Sequence, residues 1–233
     1  MPGVPEPLSP SVGWGVLHLF CKPSPAVDAA AVLAAVKALQ ADDHQVVTAV
    51  LLGHKADACF MALGPDLWRL RRFQTELVGA GFEVVDSFVS LTELSEYSEH
   101  LPDAMKEARL HPQLPPEGKP AFCFYPMSKR RQVQQNWFTL PYDDRKDLMM
   151  AHGKSGRAFA GRVLQVVTGA TGVDDWEWGV TLFAQHPDDL KEVVYTMRFD
   201  EASAIYADFG QFVTGMVSTP DELLTELGVR PSS

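Results

Sequence analysis

The same order of secondary structure elements is predicted twice along this chain, and that repeat limits the possible folds more than any other feature. Between residues 14 and 91, apolar and β-branched runs alternate with two helix-like segments in the order β-α-β-β-α-β. The stretch HPQLPPEGKP at 111–120 holds four prolines and a glycine and predicts a linker. The order then recurs between residues 121 and 217. Each copy is typical of a ferredoxin-like unit, a four-stranded antiparallel sheet with helices on one face.

Local signals support the individual segments. Asp28 precedes an alanine-rich helix, Pro65 and Gly81 lie at the two ends of the next one, and Gly153 ends the third. The predicted strands are 14–21, 45–53, 58–64, 82–91, 121–127, 162–170, 176–184 and 211–217. The predicted helices are 28–40, 65–81, 142–153, 187–199 and 219–227. Because the uncovered sheet faces need a partner, we expect an α+β fold in which both units pack together as a dimeric α+β barrel.

The predicted domain organisation follows from the repeat. Residues 1–13 form a flexible arm, and residues 14–110 form an N-terminal ferredoxin-like subdomain that serves as scaffold. The Pro-rich linker at 111–120 leads to a C-terminal ferredoxin-like subdomain at 121–233. The unusual polar residues lie in this second half, where we expect the functional site.

Charge and cysteine content exclude several classes of function. The formal net charge is −10, which argues against nucleic acid or an anionic membrane as partner, and an anionic ligand would need a local basic cluster. No apolar run approaches the roughly 20 residues needed to span a membrane. Cys21, Cys59 and Cys123 lie in apolar runs without metal-binding spacing. With no export signal in the arm, these features predict a cytoplasmic protein with buried free thiols.

His152 is the one histidine whose setting suggests a metal ligand. It ends the helix DLMMAHG and shares a face with Leu148 and Met149. One interpretation is a partly buried histidine at a helix C-terminus, where a cation is favoured. The other is an axial ligand to an iron porphyrin, which requires no second protein ligand. No Cys/His cluster lies nearby, so a closed zinc site is excluded.

Other polar residues of the second half favour a large anionic ligand. Gln165 has the parity of Val163 and Val167, so it either faces solvent or lines a cavity. Trp176 and Trp178 lie two residues apart and are either core or contact residues. The basic residues around the linker and the second half are Arg109, Lys129, Arg130, Arg131, Lys154, Arg157 and Arg162. Such a group is either a solvated surface or a grip for several carboxylates, as on a porphyrin.

Five blocks in order, FYPMSKRR, NWF.LP, MM..HG..GR, GVDDWEWGVTLFA and MRFDE.SA.YA.FG, resemble the coproheme decarboxylases of the chlorite dismutase superfamily. The resemblance covers the second half, and the doubled unit agrees with the family's two-subdomain fold. It implies hydrogen peroxide-dependent oxidative decarboxylation of iron coproporphyrin III (coproheme), which is both substrate and cofactor, to protohaem, the last step of a haem biosynthesis pathway. It also implies a homopentamer and a coproporphyrin ferrochelatase as a possible partner.

The resemblance also assigns roles residue by residue. His152 matches the iron ligand, Tyr125 a tyrosine that becomes a radical, and Lys129 a propionate-binding lysine. The residues that match other contacts of the porphyrin are Arg109, Met127, Arg157, Gln165, Trp176 and Ser203. Tyr125, Met127 and Lys129 alternate along one strand and should therefore share a face.

Three alternatives remain at this point. Chlorite dismutases place an arginine where this chain has Gln165. A dye-decolourising peroxidase should contain a Gly-x-x-Asp-Gly motif, which is absent. A haem carrier would bind at His152 and would not need Tyr125 and Lys129. His111 could act as a base, as in the actinobacterial branch of the decarboxylases, but YPMSKRR is closer to the other branch.

Overall fold

The computed structural model describes residues 5–99 and 101–229, which form eleven strands and seven helices. The strands are β1 (Gly15–Pro23), β2 (Gln45–Leu52), β3 (Ala58–Gly64), β4 (Phe82–Thr92), β5 (Ala121–Lys129), β6 (Arg131–Gln132), β7 (Gln135–Asn136), β8 (Val163–Gly169), β9 (Trp178–Ala184), β10 (Ala207–Phe209) and β11 (Val213–Ser218). The helices are α1 (Ala29–Ala41), α2 (Leu67–Gly79), α3 (Asp103–Leu110), α4 (Tyr142–Arg157), α5 (Pro187–Met197), α6 (Glu201–Ala204) and α7 (Pro220–Glu226).

The strands of both repeats join into one closed antiparallel barrel. The first repeat has the strand order β2-β3-β1-β4, and the second has the matching order β8-β9-β5-β11. Strand β4 pairs with β8, and β11 pairs with β2, so each repeat is hydrogen-bonded to the other along both edges. Strand β10 is added beside β5. The predicted fold class is confirmed, and the closure leaves no free sheet edge between the repeats.

Three hydrophobic cores follow from the alternation of side chains across this barrel. The interior core fills the barrel with residues of both repeats, including Phe20, Phe88, Phe124 and Phe183. A first outer core lies under α1, α2 and α7. A second outer core lies outside the second repeat, where α5 covers β5 and β9.

Side-chain caps start several helices where the sequence predicts them. Asp28 accepts a hydrogen bond from the Ala31 amide at 3.1 Å, and Thr219 forms a capping box with Glu222. The cysteines are buried and free, as predicted. No helix within residues 5–99 and 101–229 is long and apolar enough to cross a membrane.

The segment between the repeats is more ordered than a simple linker. Helix α3, which the sequence reasoning missed, lies in this segment just before the predicted linker. Where the segment begins, Thr92 at the end of β4 accepts a hydrogen bond from the Trp14 amide at 2.7 Å. In the predicted arm, Leu8 exchanges backbone and side-chain hydrogen bonds with Leu67 and Asp66. Residues 1–4 of that arm and 230–233 of the predicted second subdomain lie outside the described residues. The domain boundaries themselves stay predictions.

Candidate functional site

Tyr125, Met127 and Lys129 project from the outer face of β5. Tyr125 and Met127 both belong to the second outer core. The Tyr125 ring is 7% exposed and stacks on Phe212, with the ring centroids 4.4 Å apart. Burial raises the pKa of the Tyr125 phenol above its usual value. The phenol is therefore protonated at neutral pH and held in one orientation.

The Lys129 ammonium group is buried at the end of the same strand face. Its Nζ donates a hydrogen bond to the Ala202 carbonyl oxygen at 2.7 Å and lies 4.1 Å from the ring centroid of Trp137. Burial lowers the Lys129 pKa to about 8, and the Glu177 carboxylate acts in the opposite direction. The result is a cation with a single carbonyl partner, which a ligand carboxylate could replace.

His152 on α4 faces a carboxylate at the start of α6. Its Nδ1 lies 3.3 Å from Asp200 Oδ2, and the other carboxylate oxygen accepts a hydrogen bond from Ser155 Oγ at 2.7 Å. Neither Nδ1 nor Oδ2 has a properly directed hydrogen bond in the described chain. Burial and the Lys129 charge lower the His152 pKa, although Asp200 opposes them. His152 therefore favours its neutral form, the form that binds metal ions.

Helix α4 and the outer face of β8 are left uncovered. No described residue of the sixteen in α4 is buried, and the helix packs against α5 and α6. On β8, Gln165 and Val167 are exposed although Val163, on the same face, packs on the second outer core. A helix and a strand face of this kind leave space for a flat ligand beside β5. Gln165 faces solvent in this structure, which is one of the two interpretations that the sequence left open.

The remaining predicted contacts are only partly brought together. Ser203 is buried in α6, beside the carbonyl that binds Lys129. Arg157 is exposed and has no ion pair within residues 5–99 and 101–229. Arg109 is also exposed and donates a hydrogen bond to Ser98 Oγ at 2.9 Å.

The two tryptophans differ in position. Trp176 precedes β9 and packs against the interior core, so the structure does not bring it to the face of Tyr125. Trp178 is paired with Met127 across β5 and β9, and its indole nitrogen donates a hydrogen bond to Glu93 at 3.1 Å. Because paired residues of neighbouring strands share a face, Trp178 is the one of these two that lies on the face of Met127.

Three of the seven residues in the predicted basic cluster form ion pairs with carboxylates of the protein. Arg130 forms an ion pair with Asp208 at 2.8 Å, and Arg131 is paired with Glu177. Arg162 contacts both Asp189 at 2.6 Å and Glu192 at 2.9 Å. These three arginines therefore have carboxylate partners within the protein, which favours the interpretation as surface charges for them. No ion pair of Arg109, Lys129, Lys154 or Arg157 is found among the described residues.

His111 lies at the end of α3. Its Nδ1 is 2.6 Å from Glu107 Oε1, and its ring contacts Trp14 edge-on at 4.9 Å. Trp14 packs against the interior core, whereas Tyr125 lies outside the barrel. His111 therefore belongs to the junction of the repeats in this structure.

Sequence reasoning missed three residues of the site. Asp200 contacts His152, Trp137 lies under Lys129, and Glu177 accepts a hydrogen bond from the Lys129 amide. All three lie in blocks that carried the resemblance. Their chemistry could not be assigned because their partners are distant in sequence.

The described residues fit an iron porphyrin better than a bare metal ion. Within the described part of the chain, no group of three His, Cys, Asp or Glu side chains could hold a metal ion. His152 Nδ1 and Asp200 Oδ2 are both without a hydrogen-bond partner in the described chain, so Asp200 could orient the ring and leave the other ring nitrogen available to a metal. The uncovered α4 and β8 suit the macrocycle, and Lys129 suits a carboxylate.

Comparisons with known proteins agree with this geometry. Coproheme decarboxylases from two Thermus thermophilus strains are 40% identical to this chain in a match that covers 97% of this chain and 98% of theirs. A Natronomonas pharaonis protein whose name proposes haem binding is 41% identical over 197 residues. This match covers 78% of this chain, which spans only 32% of that relative's length.

Solved structures show the same fold. A haem-binding protein from Thermus thermophilus superposes with a TM-score of 0.85 at 36% identity, covering 93% of this chain and 96% of the other. A chlorite dismutase from Candidatus Nitrospira defluvii superposes with a TM-score of 0.73 at 17% identity, covering 94% and 97%. The chlorite dismutase family model matches residues 26–218. By sequence and by fold, this chain belongs to the chlorite dismutase family.

Proposed function

We propose that this chain is a coproheme decarboxylase, which converts iron coproporphyrin III to protohaem with hydrogen peroxide as oxidant. The observation that carries the proposal is the placement of Tyr125 and Lys129 on one strand face, next to the His152–Asp200 pair. The identity to coproheme decarboxylases over nearly the full length supports it.

The overall reaction balances for each of two propionates. One propionate loses carbon dioxide and a hydrogen to become a vinyl group, and this oxidation releases two electrons. One hydrogen peroxide accepts both electrons and, with protons, becomes two water molecules. The bound iron porphyrin supplies the oxidising power, since it is substrate and cofactor at once.

The residues of the chain supply binding and orientation. His152 would bind the iron through Nε2, with Asp200 orienting the ring from the other side. Lys129 would exchange the Ala202 carbonyl for a propionate carboxylate. Tyr125, fixed by Phe212, would abstract a hydrogen atom from the propionate as a radical, which requires the propionate to be held still beside it.

The other predicted contacts complete the proposed pocket. Met127 and Trp178 would line it from neighbouring strands, Gln165 from the exposed face of β8, and Ser203 from α6. Arg157, whose guanidinium has no ion pair among the described residues, would bind a further propionate, whereas Arg109 would first have to release Ser98.

We also propose the domain roles and the cellular setting that the resemblance implies. The first subdomain would be scaffold, since Arg109 is the only proposed contact outside residues 125–203. The protein would be a cytoplasmic homopentamer that receives coproheme from a ferrochelatase. Light scattering on the purified protein tests the pentamer.

A product assay tests the activity. The purified ligand-free protein is mixed with ferric coproporphyrin III, hydrogen peroxide is titrated in, and products are followed by mass spectrometry. Loss of two carboxyl groups in two steps is expected. Porphyrin bleaching without decarboxylation would contradict the proposal and favour haem binding, and chlorite would then be the next substrate to try.

A substitution tests the radical role. Tyr125→Phe should abolish decarboxylation but leave porphyrin affinity nearly unchanged, because the ring that packs on Phe212 is kept. Tyr195→Phe, on the exposed side of α5, is the matched control and should turn over normally. Turnover by Tyr125→Phe at the wild-type rate would contradict the mechanism.

A further inference from the structure

Glu177 is a buried carboxylate next to the proposed site. It is 6% exposed, between the two tryptophans that precede and begin β9. Both carboxylate oxygens are engaged: Oε2 accepts a hydrogen bond from the Lys129 amide at 2.7 Å, and Oε1 accepts one from the Arg131 guanidinium. Burial of a carboxylate costs hydration free energy, and its hydrogen-bond partners must offset that cost.

The backbone of Glu177 is fixed as firmly as its side chain. Its amide donates a hydrogen bond to Ser128 Oγ at 3.1 Å, and its carbonyl accepts one from the Ala170 amide at 2.7 Å. Glu177 therefore holds three positions at the end of β5 or just beyond it, namely Ser128, Lys129 and Arg131. The strand end cannot shift without breaking several hydrogen bonds.

This anchor sets the direction of the Lys129 side chain. While its amide is hydrogen-bonded to Glu177, the Lys129 side chain reaches the Ala202 carbonyl and lies over the Trp137 indole. A displaced strand end would carry the ammonium group away from both. Positioning within about half an ångström is what a site of this kind requires of its supporting residues.

Glu177 also acts on the charge of Lys129. Burial lowers the Lys129 pKa to about 8, and the negative charge of Glu177 counteracts that effect. The other titratable or charged groups on the elements around Lys129 are His152 on α4, Asp200 and Glu201 at the start of α6, and Asp208 on β10, which is paired with Arg130. None of these groups is hydrogen-bonded to Lys129 in the described chain, whereas Glu177 is.

We infer that Glu177 is a positioning residue of the porphyrin site, which holds Lys129 at the end of β5 and keeps its ammonium group charged for a propionate carboxylate. This inference rests on the proposed function. Glutamine cannot replace the carboxylate, because it is uncharged and would place its NH2 group, a donor, against either the Lys129 amide or the Arg131 guanidinium, which are themselves donors.

The test measures the affinity for ferric coproporphyrin III, by absorbance titration, at about pH 6 and about pH 9. The proteins are the wild type, Glu177→Gln, Lys129→Gln and the double variant. Asp174→Asn is the matched control: Asp174 lies three residues earlier and accepts a hydrogen bond from the Val89 amide at 2.8 Å, but it contacts neither Lys129 nor Arg131 among the described hydrogen bonds. Unfolding temperatures of the ligand-free proteins report on folding.

The effect of Glu177→Gln on porphyrin affinity is expected to depend on Lys129 and on pH. Glu177→Gln should bind about tenfold more weakly than the wild type at about pH 9 and differ less at about pH 6, because a Lys129 pKa lower by one unit leaves about tenfold less ammonium above that pKa. In the Lys129→Gln background, Glu177→Gln should have no further effect. Lys129→Arg, whose charge does not titrate here, should remove the loss of affinity at high pH in the Glu177→Gln protein.

Other results would overturn the inference in distinguishable ways. One such result is that Glu177→Gln lowers the porphyrin affinity equally in the wild-type and Lys129→Gln backgrounds, and another is that it does so by an amount that does not depend on pH. Either result would mean that Glu177 supports only the fold. If Glu177→Gln does not fold, the wild type and Lys129→Arg still test the inference. It requires that the affinity of the wild type falls above about pH 8 and that the affinity of Lys129→Arg does not. Failure of the wild-type protein to bind the porphyrin at all would instead overturn the proposed function together with this inference.

Discussion

A buried histidine inside the barrel should make this protein sensitive to mild acid. His18 is fully buried, and its Nε2 is hydrogen-bonded to Thr181 Oγ1 at 3.0 Å. Its Nδ1 has no partner among the described residues, and the ring packs 4.4 Å from the Phe124 ring centroid. Burial lowers the His18 pKa from 6.5 to about 3. The folded protein therefore holds a neutral imidazole where the unfolded chain would take up a proton.

The sign and size of the effect follow from linkage. Above pH 6.5 His18 is neutral in both the folded and the unfolded state, so its protonation does not change the free energy of unfolding. As the pH falls below 6.5, only the unfolded chain binds the proton, so stability is lost progressively until the folded pKa near 3. At about 1.4 kcal/mol per pH unit, the loss reaches about 3 kcal/mol at about pH 4. That is a large part of a typical domain's free energy of unfolding.

Replacement of His18 by leucine isolates this contribution. Near neutral pH, His18→Leu should be about 1–3 kcal/mol less stable, because the buried Thr181 hydroxyl loses its partner. At about pH 4 the variant should equal or exceed the wild type, because leucine does not titrate. Urea unfolding at several pH values measures both curves, and His54→Gln, at an exposed position, should leave the wild-type curve unchanged. A constant difference between wild type and His18→Leu at every pH would refute the reasoning.

Three further predictions concern glycines and the proposed iron ligand. A Cβ at Gly215 would lie 2.1 Å from the Val50 carbonyl oxygen, so Gly215→Ala should loosen the β11–β2 junction and lower the free energy of unfolding by about 1–3 kcal/mol. Gly156→Ala, whose nearest neighbour would be at 3.7 Å, should instead raise it by up to about 1 kcal/mol through helix propensity, as measured by urea unfolding. Asp200→Asn should weaken the affinity for ferric coproporphyrin III by roughly tenfold through His152, whereas affinity for the iron-free porphyrin should not change.

Local sequence signals were sufficient for the large elements and not for the small ones. The large strands and helices of both repeats lie within a few residues of where alternation and capping residues predict them, but α4 continues through Gly153, the predicted stop, to Arg157. Helix α3 was missed because only Leu110 of its eight residues is buried, so it shows no apolar stripe. Strand β10 has three residues and forms only by pairing with β5. Such short elements depend on neighbours that the sequence does not identify.

The sequence likewise predicted some features of the site and missed others. The common face of Tyr125, Met127 and Lys129 followed from the two-residue period of a strand. The two-residue period failed for Trp176, because β9 begins only at Trp178 and Trp176, before the strand, packs against the interior core. Arg131, a member of the predicted basic cluster, forms an ion pair with Glu177, which lies 46 residues away in sequence.

The sequence by itself determined the repeat, the fold class and the polar strand face, because each depends on periodicities that nearby residues encode. Tertiary structure alone decided how β4 meets β8 and β11 meets β2, which closes the barrel and leaves α4 and β8 uncovered. It also decided that Asp200 faces His152, 48 residues away in sequence (200 − 152). Contacts of this range depend on sheet register and helix docking, which minimise the free energy of the whole chain and are not encoded in any single segment.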